Sequence, residues 1–259
     1  MIIDGEKIAG GIIAELKAKF KPEKNLTVIQ VGNEPTMVSF IKKKEAIARE
    51  IGIRFEINRN PESTDGESLR QSISEAARNP ECGGIVLQLP LPARINRGEM
   101  IREIPPQKDV DNLSGKSPVL APAALVVEKI IQSTNYDLKN ATVAVVGLGI
   151  LVGKPVSEWL TDKCARLLTF DSGSDLGKLK EANVIISGVG QAGLIKTDLL
   201  KEETLVIDFG YEVKDGKTRG DFGPKEVDSK NITYTPTPGG TGPILVAALF
   251  ENFYKLNSL

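Results

Sequence analysis

A run of three lysines, Lys42-Lys43-Lys44, lies in a segment whose apolar periodicity predicts a helix from about Thr36 to Glu50. Successive helical residues point about 100° apart, so only Lys44 shares the face of the apolar residue Phe40. A lysine at such a position commonly covers apolar surface with its stem and keeps its amine in water. The alternative is a partly buried amine whose pKa is lowered, which could exchange protons near neutral pH.

Polar residues occur at two further positions that could meet a ligand. Gln88 interrupts the apolar run Gly84–Leu89, which predicts a strand. A buried amide needs hydrogen-bond partners, so Gln88 either caps local backbone or faces a ligand at the carboxyl end of the strand. Asp109 and Asp111 lie in the segment 104–112, whose prolines and alternating charges predict an exposed loop. Carboxylates in such a loop ordinarily form turns or caps.

The segment 143–160 predicts a strand, a tight turn and a helix. Four apolar residues lead into Gly147 and Gly149, and a possible helix starts at Val152. The two glycines permit the turn and the close approach of a ligand, while the helix N-terminus offers N–H groups to a pyrophosphate. Gly153 comes one residue later than in the standard fingerprint, so the pattern alone is a weak signal.

Later strands strengthen the nucleotide-binding interpretation. Arg166–Phe170 predicts a strand that ends at Asp171, where a dinucleotide-binding unit often places an acid for a ribose. Two more apolar runs follow, at 182–188 and 204–210. Four such strands separated by helical stretches predict a parallel, doubly wound α/β sheet. A nucleotide-binding domain is therefore favoured over a plain α/β scaffold.

Composition limits the possible chemistry. The 259 residues allow one large or two modest domains, and a net charge of -1 gives no sign of a nucleic-acid or membrane partner. The chain has no histidine, which excludes Ser-His and Cys-His catalysis and most zinc sites, and we expect no metal. Cys82 and Cys164 are predicted to be reduced thiols. No bilayer-spanning stretch or signal peptide is recognised, so a cytoplasmic location is expected.

The remaining elements complete a two-part α/β plan. Helices are predicted at Ile8–Phe20 and Gly66–Arg78, and strands at Leu26–Val31 and Ile53–Asn58. After the helix that begins at Ala123 and the nucleotide-type segment, a loop dense in proline and glycine, 234–243, precedes a C-terminal helix. Such a rigid loop is more often a binding loop than a linker.

Taken together, several stretches resemble one family, the bifunctional methylenetetrahydrofolate dehydrogenase/cyclohydrolases. The resemblance runs in the same order over essentially the whole chain. The matching stretches are Val31-Gly-Asn-Glu-Pro35, Gly84-Ile-Val-Leu-Gln-Leu-Pro-Leu-Pro92, Lys108-Asp-Val-Asp111, Val152-Gly-Lys-Pro155, Val206-Ile-Asp-Phe-Gly210, Gly220-Asp221 and Thr237-Pro-Gly-Gly-Thr-Gly-Pro243.

The resemblance implies a fold and two consecutive reactions. It implies an N-terminal α/β folate domain, 1–122, on which a C-terminal helix at about 244–259 packs, and a Rossmann-like NAD(P)-binding domain, 123–243. A folate cleft between the domains and a homodimer built through the nucleotide domain are also implied. The enzyme would oxidise 5,10-methylenetetrahydrofolate with a nicotinamide and hydrolyse the methenyl product to 10-formyltetrahydrofolate.

The resemblance also assigns roles to residues of this chain. Lys44 corresponds to the catalytic lysine, Gln88 to the glutamine that orients it, and Asp111 to the aspartate that holds the pterin. The residues implied to bind substrate are Phe40, Pro238, Gly239 and Gly240. Those implied to bind the cofactor are Gly147, Leu148, Gly149, Val152, Gly153, Asp171, Ser172 and Tyr211.

The chain departs from the family pattern at three places. Phe40 replaces a usual tyrosine, which keeps ring stacking but loses a hydroxyl, and Val119-Leu-Ala-Pro122 replaces Pro-Cys-Thr-Pro. Leu148-Gly149 stands where NADP-dependent members commonly carry Arg-Ser. The family default is NADP, whereas the carboxylate of Asp171 would repel a 2′-phosphate and favours NAD. A shikimate-type dehydrogenase and a non-catalytic folate- or nucleotide-binding protein are the alternative functions.

Overall fold

The computed structural model describes residues 1–214, 216–225 and 227–258. By its internal contacts the chain divides into two compact units. We call them the three-stranded unit, formed by Gly11–Pro122 and the segment from Val246 to the C-terminus, and the five-stranded unit, formed by Met1–Gly10 and Ala123–Leu245. In the described part of the chain, no helix is long and apolar enough to cross a membrane.

The three-stranded unit is built on a parallel sheet in the order β2-β1-β3. Its strands are β1 (Asn25–Val31), β2 (Phe55–Asn60) and β3 (Cys82–Leu87). Every residue of β1 and β3 is buried, as expected for strands covered on both faces. The helices of the first half of the chain are α1 (Gly5–Ala18), α2 (Pro35–Ile51), α3 (Gly66–Arg78) and α4 (Arg97–Arg102), with a 3₁₀ turn at Pro106–Lys108.

The five-stranded unit contains a parallel sheet in the order β12-β8-β6-β4-β5. The strands from here on are β4 (Thr142–Val146), β5 (Arg166–Phe170), β6 (Val184–Ser187), β7 (Ile195–Lys196), β8 (Leu205–Asp208), β9 (Glu212–Lys214), β10 (Lys217–Arg219), β11 (Phe222–Gly223) and β12 (Thr233–Tyr234). β7 pairs with β11 in parallel, and β9 with β10 in an antiparallel hairpin. The doubly wound parallel α/β fold predicted from the sequence is confirmed.

The helices of the second half are α5 (Pro122–Thr134), α6 (Gly153–Leu160) and α7 (Thr241–Asn257), with 3₁₀ turns at Leu176–Glu181, Thr197–Leu199 and Val227–Lys230. Helix α7 begins three residues earlier than the predicted start at 244, and the predicted end, Leu259, lies outside the described residues. An apolar cluster built around Ala144, Ile185 and Val206 forms the core beside the sheet.

Several sequence predictions need correction. The strand predicted at 84–89 ends at Leu87, so Gln88 follows the strand instead of lying inside it. Helix α1 ends before Phe20, whose side chain is 87% exposed and not part of the buried helical face. The loop predicted to be exposed contains Asp109, which is fully buried. The reason for this last difference is a local hydrogen-bond network described below.

Candidate active site

Lys44 and Gln88 meet in the three-stranded unit. The carboxylate of Glu34 caps α2 by accepting hydrogen bonds from the N–H groups of Thr36 (2.9 Å) and Met37 (2.7 Å). The Lys44 side chain on this helix is half-buried, and its Nζ donates to Gln88 Oε1 at 2.7 Å. Of the three neighbouring lysines, only Lys44 makes such an inward contact, while Lys42 and Lys43 are exposed.

The orientation of the Gln88 amide is fixed by its surroundings. Gln88 is 8% exposed and follows β3, and its N–H donates to Ile29 O at 2.9 Å. Its Nε2 donates to Leu89 O at 2.9 Å, so Oε1 is the atom that faces the amine of Lys44. The first sequence interpretation of Gln88, a contact with local backbone, is therefore realised through Nε2, and the second, that Gln88 faces a ligand, stays a prediction.

Asp111 lies in a loop that a buried carboxylate organises. Asp109 accepts hydrogen bonds from Leu113 N (3.1 Å), Ser114 N (3.0 Å) and Ser114 Oγ (2.8 Å). Asn252 of α7 donates to Val110 O (2.8 Å) and Leu120 O (2.7 Å), which holds both ends of the segment around Asp111. These bonds explain why the loop is buried although its composition predicts exposure.

The electrostatics of Lys44 and Asp111 are coupled. Burial lowers the pKa of the Lys44 amine, and the nearby Asp111 carboxylate partly opposes this shift. Burial raises the pKa of Asp111 to about 6; the charge of Lys44 opposes the rise and that of Asp109 adds to it. Within the described chain the Asp111 carboxylate accepts no hydrogen bond. The group thus combines an amine that can lose its proton with an acceptor available to a ligand.

The predicted substrate-binding residues lie in both units. Phe40 is half-buried, one helical turn before Lys44, with Lys43 Nζ 5.6 Å from its ring centroid. Pro238, Gly239 and Gly240 belong to the loop before α7 in the five-stranded unit. Gly239 O accepts a hydrogen bond from the N–H of Gly5 at 3.0 Å, which ties this loop to the start of the chain.

The glycine turn after β4 has the shape of a dinucleotide site. Gly147 has φ +82, and a Cβ built on Gly153 would collide with the carbonyl oxygen of Gly147, so both positions require glycine. No side chain caps the N-terminus of α6, and a Cβ at Gly149 would meet no protein atom within 4 Å. Around this uncapped helix end the apolar side chains Leu148, Leu151 and Val189 are exposed. The residues present therefore fit a bound NAD(P).

Asp171 and Ser172 lie just beyond β5, at the same sheet edge as the glycine turn. Both are exposed, and Asp171 Oδ1 accepts from Ser172 N at 2.9 Å. Arg166, a basic residue that could pair with a 2′-phosphate, begins β5 and forms an ion pair with Glu181 at 2.7 Å. Five residues of extended strand separate it from Asp171 by roughly 16 Å, so it lies at the opposite end of the strand.

Sequence reasoning missed three buried polar residues of the five-stranded unit. Asp221 accepts four hydrogen bonds, one from the last residue of β6 and three from the segment that follows it. Asp208 accepts from the N–H groups of Gly210 (2.7 Å) and Phe222 (2.9 Å), and burial raises its pKa to about 6. The hydroxyl oxygen of Thr235 accepts a hydrogen bond from Asp208 N at 2.8 Å. The stretches 206–210 and 220–221 were the available signal, since each places an aspartate within two residues of a glycine.

The fold and the two sets of polar residues define a two-domain, nucleotide-dependent α/β enzyme. A family model described as the tetrahydrofolate dehydrogenase/cyclohydrolase catalytic domain matches residues 3–111, and the NAD(P)-binding domain of the same family matches residues 121–258. The chain belongs to the tetrahydrofolate dehydrogenase/cyclohydrolase family. This confirms the resemblance found in the sequence and removes the shikimate-type alternative.

Individual relatives agree with this assignment. The chain is 33% identical over 268 residues to the bifunctional protein FolD of Macrococcus caseolyticus, covering 97% of this chain and 95% of the relative. It is 34% identical to the FolD protein of Exiguobacterium sibiricum over 97% of each chain. The crystal structure of the bifunctional FolD dehydrogenase/cyclohydrolase from Campylobacter jejuni superposes with a TM-score of 0.93 at 29% identity, covering 100% of this chain and 98% of that one.

The family fixes the reaction class. The chain is an NAD(P)-dependent methylenetetrahydrofolate dehydrogenase and methenyltetrahydrofolate cyclohydrolase. Its substrates are one-carbon derivatives of tetrahydrofolate, and its place is in one-carbon metabolism.

Proposed function

We propose that Lys44 transfers the proton when the 5,10-methenyl cation is hydrolysed, that Gln88 orients its amine, and that Asp111 binds the pterin ring. The observation that carries this proposal is the 2.7 Å hydrogen bond from Lys44 Nζ to Gln88 Oε1. Because burial lowers the pKa of Lys44, its neutral amine forms more readily than that of an exposed lysine, and the lone pair of that amine can accept a proton. A cationic substrate beside the amine would lower this pKa further.

The two reactions follow one another, and Lys44 acts in the second. In the first, the one-carbon bridge of 5,10-methylenetetrahydrofolate loses a hydride and becomes the methenyl cation; NAD(P) supplies the hydride acceptor. In the second, water adds to the methenyl carbon and Lys44 accepts one of its protons. The other proton ends on N5 as the bond from carbon to N5 breaks, which gives 10-formyltetrahydrofolate.

Asp111 suits a role in binding the folate. A carboxylate can accept two N–H bonds from an aminopyrimidine edge, and this one is half-buried with no hydrogen bond from the described chain. Phe40 would stack on the aminobenzoyl ring without the hydroxyl of the usual tyrosine. The polar contacts that the family's Cys-Thr would add are lost at Leu120 and Ala121. We expect these replacements to slow the hydrolysis step more than the oxidation step.

The cofactor proposal is NADP, which the family resemblance implies, with NAD as the alternative. The turn at Gly147 and Gly149 and the uncapped end of α6 would hold the pyrophosphate, with Leu148, Val152 and Gly153 around it. Asp171 and Ser172 would meet the ribose, and Tyr211 is a further residue proposed to bind the cofactor. The exposed carboxylate of Asp171 supports NAD, since it accepts bonds from a free ribose diol. Pro238, Gly239 and Gly240, in the loop before α7, are the further residues proposed to bind substrate.

Three wider expectations stay proposals. The domain assignment is 1–122 for folate and 123–243 for the nucleotide; the contact division also breaks between Pro122 and Ala123, but groups Met1–Gly10 with the later segment. The family resemblance supports a homodimer built through the nucleotide domain, which light scattering on the purified protein tests. A cytoplasmic location and the absence of nucleic-acid and membrane partners rest on the composition alone.

The first experiment follows the absorbance of the methenyl and reduced-nicotinamide bands with methylenetetrahydrofolate and either NADP or NAD. The ratio of kcat/KM for the two nucleotides decides the cofactor. Decay of the methenyl band above the buffer rate measures the cyclohydrolase. Absence of reduction with either nucleotide would contradict the proposed assignment of the cofactor-binding residues.

Lys44→Ala tests the proton-transfer role directly. We expect hydrolysis of supplied methenyltetrahydrofolate to fall by at least 100-fold, in the range of general acid–base contributions, while folate and nucleotide still bind. Lys42→Ala is the matched control, because Lys42 is an exposed neighbour on the same helix. Full hydrolysis by Lys44→Ala would remove Lys44 from the mechanism.

A further inference from the structure

The crevice between the carboxyl ends of β4 and β6 lies where the chain changes direction across the five-stranded sheet. The chain passes from β4 to β5 on one side and then returns to β6 on the other side of β4. Ligands of open α/β sheets bind at such a switch point. One wall of this crevice is the glycine turn after β4, and the other is the segment 188–191 that follows β6, here called the 188–191 loop.

The two walls are in close contact. A Cβ built on Gly147 would lie 2.8 Å from Val189 Cγ2 and 3.2 Å from Gly188 O. In return, a Cβ on Gly188 would lie 2.8 Å from the Cβ of Val152. The 188–191 loop therefore has no space to shift toward the glycine turn. The position of the loop and the geometry of the turn depend on each other.

The carboxylate of Asp221 fixes this loop through hydrogen bonds. Its Oδ2 accepts hydrogen bonds from Ser187 Oγ (2.6 Å) and Val189 N (2.8 Å), and its Oδ1 accepts from Gly190 N (2.8 Å) and Gln191 N (2.7 Å). Gly190 has φ +81, which allows three successive N–H groups to converge on one carboxylate. The arrangement is an anion-binding loop filled by a side chain of the protein itself.

The Asp221 carboxylate is stabilised by these donors alone. The residue is 0% exposed, and no lysine or arginine of the described chain forms an ion pair with it. The next N–H, that of Ala192, donates to Glu212 Oε2 at 2.6 Å. The N–H groups of residues 189–192 are therefore occupied by carboxylates of the protein, unlike the N-terminus of α6, which no side chain caps.

We propose that Asp221 is a positioning residue for the NAD(P) site. It fixes the 188–191 loop so that the glycine turn keeps its shape and the exposed side chain of Val189 faces the crevice. The loop contributes a shaped wall, and its backbone N–H groups at residues 189–191 are not pyrophosphate ligands, because Asp221 occupies them. The inference rests on the proposed function in one respect, that NAD(P) binds at the turn of Gly147.

Asp221→Asn provides the test, because it keeps the side-chain shape but turns one acceptor into a donor that faces other donors. We expect the KM for NAD(P) and the Kd from reduced-nucleotide fluorescence to rise about tenfold or more. Hydrolysis of supplied methenyltetrahydrofolate should stay within twofold of wild type. Asp198→Asn is the matched control: the same chemical change at an exposed position of the same unit, with an expected Kd within twofold of wild type.

Folding of the five-stranded unit is followed through Trp159, the single tryptophan, which lies on α6. A native emission spectrum with an unchanged nucleotide Kd in Asp221→Asn would overturn the proposal. If Asp221→Asn does not fold, Ser187→Ala tests the proposal instead, because it removes one of the four hydrogen-bond donors to Asp221. A threefold or larger rise in Kd supports the proposal and an unchanged Kd overturns it. A wild-type protein that binds no NAD(P) would refute the cofactor site itself, independently of these variants.

Discussion

Asp109 and Asp221 perform the same structural task in the two units with different results. Both are fully buried, and both hold a loop by accepting hydrogen bonds from backbone N–H groups and a serine hydroxyl. Asp109 organises the loop that presents Asp111 beside Lys44. Asp221 organises the 188–191 loop, whose N–H groups are all engaged by the protein.

The difference lies in what each loop leaves unsatisfied. Near Asp109, the Asp111 carboxylate accepts no hydrogen bond in the described chain and the Lys44 amine donates only to Gln88, so both have pKa values shifted by burial. Near Asp221, the backbone N–H groups of the loop are paired, and its exposed residues, Val189, Gly190 and Gln191, carry no titratable side chain. A buried carboxylate can thus support either a reactive group or an inert wall, depending on the residues beside it.

The largest expected effect on ligand binding is that of Asp111→Asn on folate. If Asp111 binds the pterin, the variant loses one charge-assisted acceptor, and folate binding should weaken by about 2 to 3 kcal/mol, roughly 30- to 150-fold. Both activities should show this loss, and the Kd for NAD(P) should not change. An unchanged KM for methylenetetrahydrofolate would remove Asp111 from the site.

Asp109→Asn should weaken folate binding in the way that Asp221→Asn weakens nucleotide binding. Its amide would leave the N–H groups of Leu113 or Ser114 without an acceptor and displace the loop that carries Asp111. We expect the KM for folate to rise about tenfold in both reactions, about 1.4 kcal/mol, with the nucleotide Kd within twofold. Equal losses of folate and nucleotide affinity would mean that the two loops are not independent, and the comparison would fail.

The smallest expected effect is on stability. Burial raises the pKa of Asp111 from 3.8 to about 6, so the folded state binds more protons than the unfolded state between these values. Stability from this group is therefore present below pH 4 and is lost as the pH rises through 6, by at most about 3 kcal/mol. Asp111→Asn removes the cost of the buried charge but also its attraction to Lys44.

The net gain expected for Asp111→Asn is about 1 to 2 kcal/mol at pH 7.5, disappearing near pH 4. Urea denaturation of wild type and variant at both pH values measures it. A variant that is less stable than wild type at pH 7.5 would show that the carboxylate has partners in solution that satisfy its charge.

Much of the fold followed from local pattern. Helix Gly66–Arg78 and strand Arg166–Phe170 occur at their predicted bounds, because caps and apolar periodicity are local properties. The short strand β12 was missed, since two residues carry too little pattern to predict pairing. The loop at 104–112 was predicted wrongly as exposed, because proline and charge content say nothing about the partners that bury Asp109.

The sequence by itself determined the family, the parallel α/β sheet, the inward face of Lys44 and the glycine turn, because each depends on residue types at short, fixed spacing. Only the tertiary structure decided which atoms meet. The Lys44–Gln88 bond joins residues 44 positions apart, and Asp221 binds a loop 30 to 34 positions before it. Such pairings depend on the order of strands in the sheet, and burial then sets the charge state of the groups that it brings together.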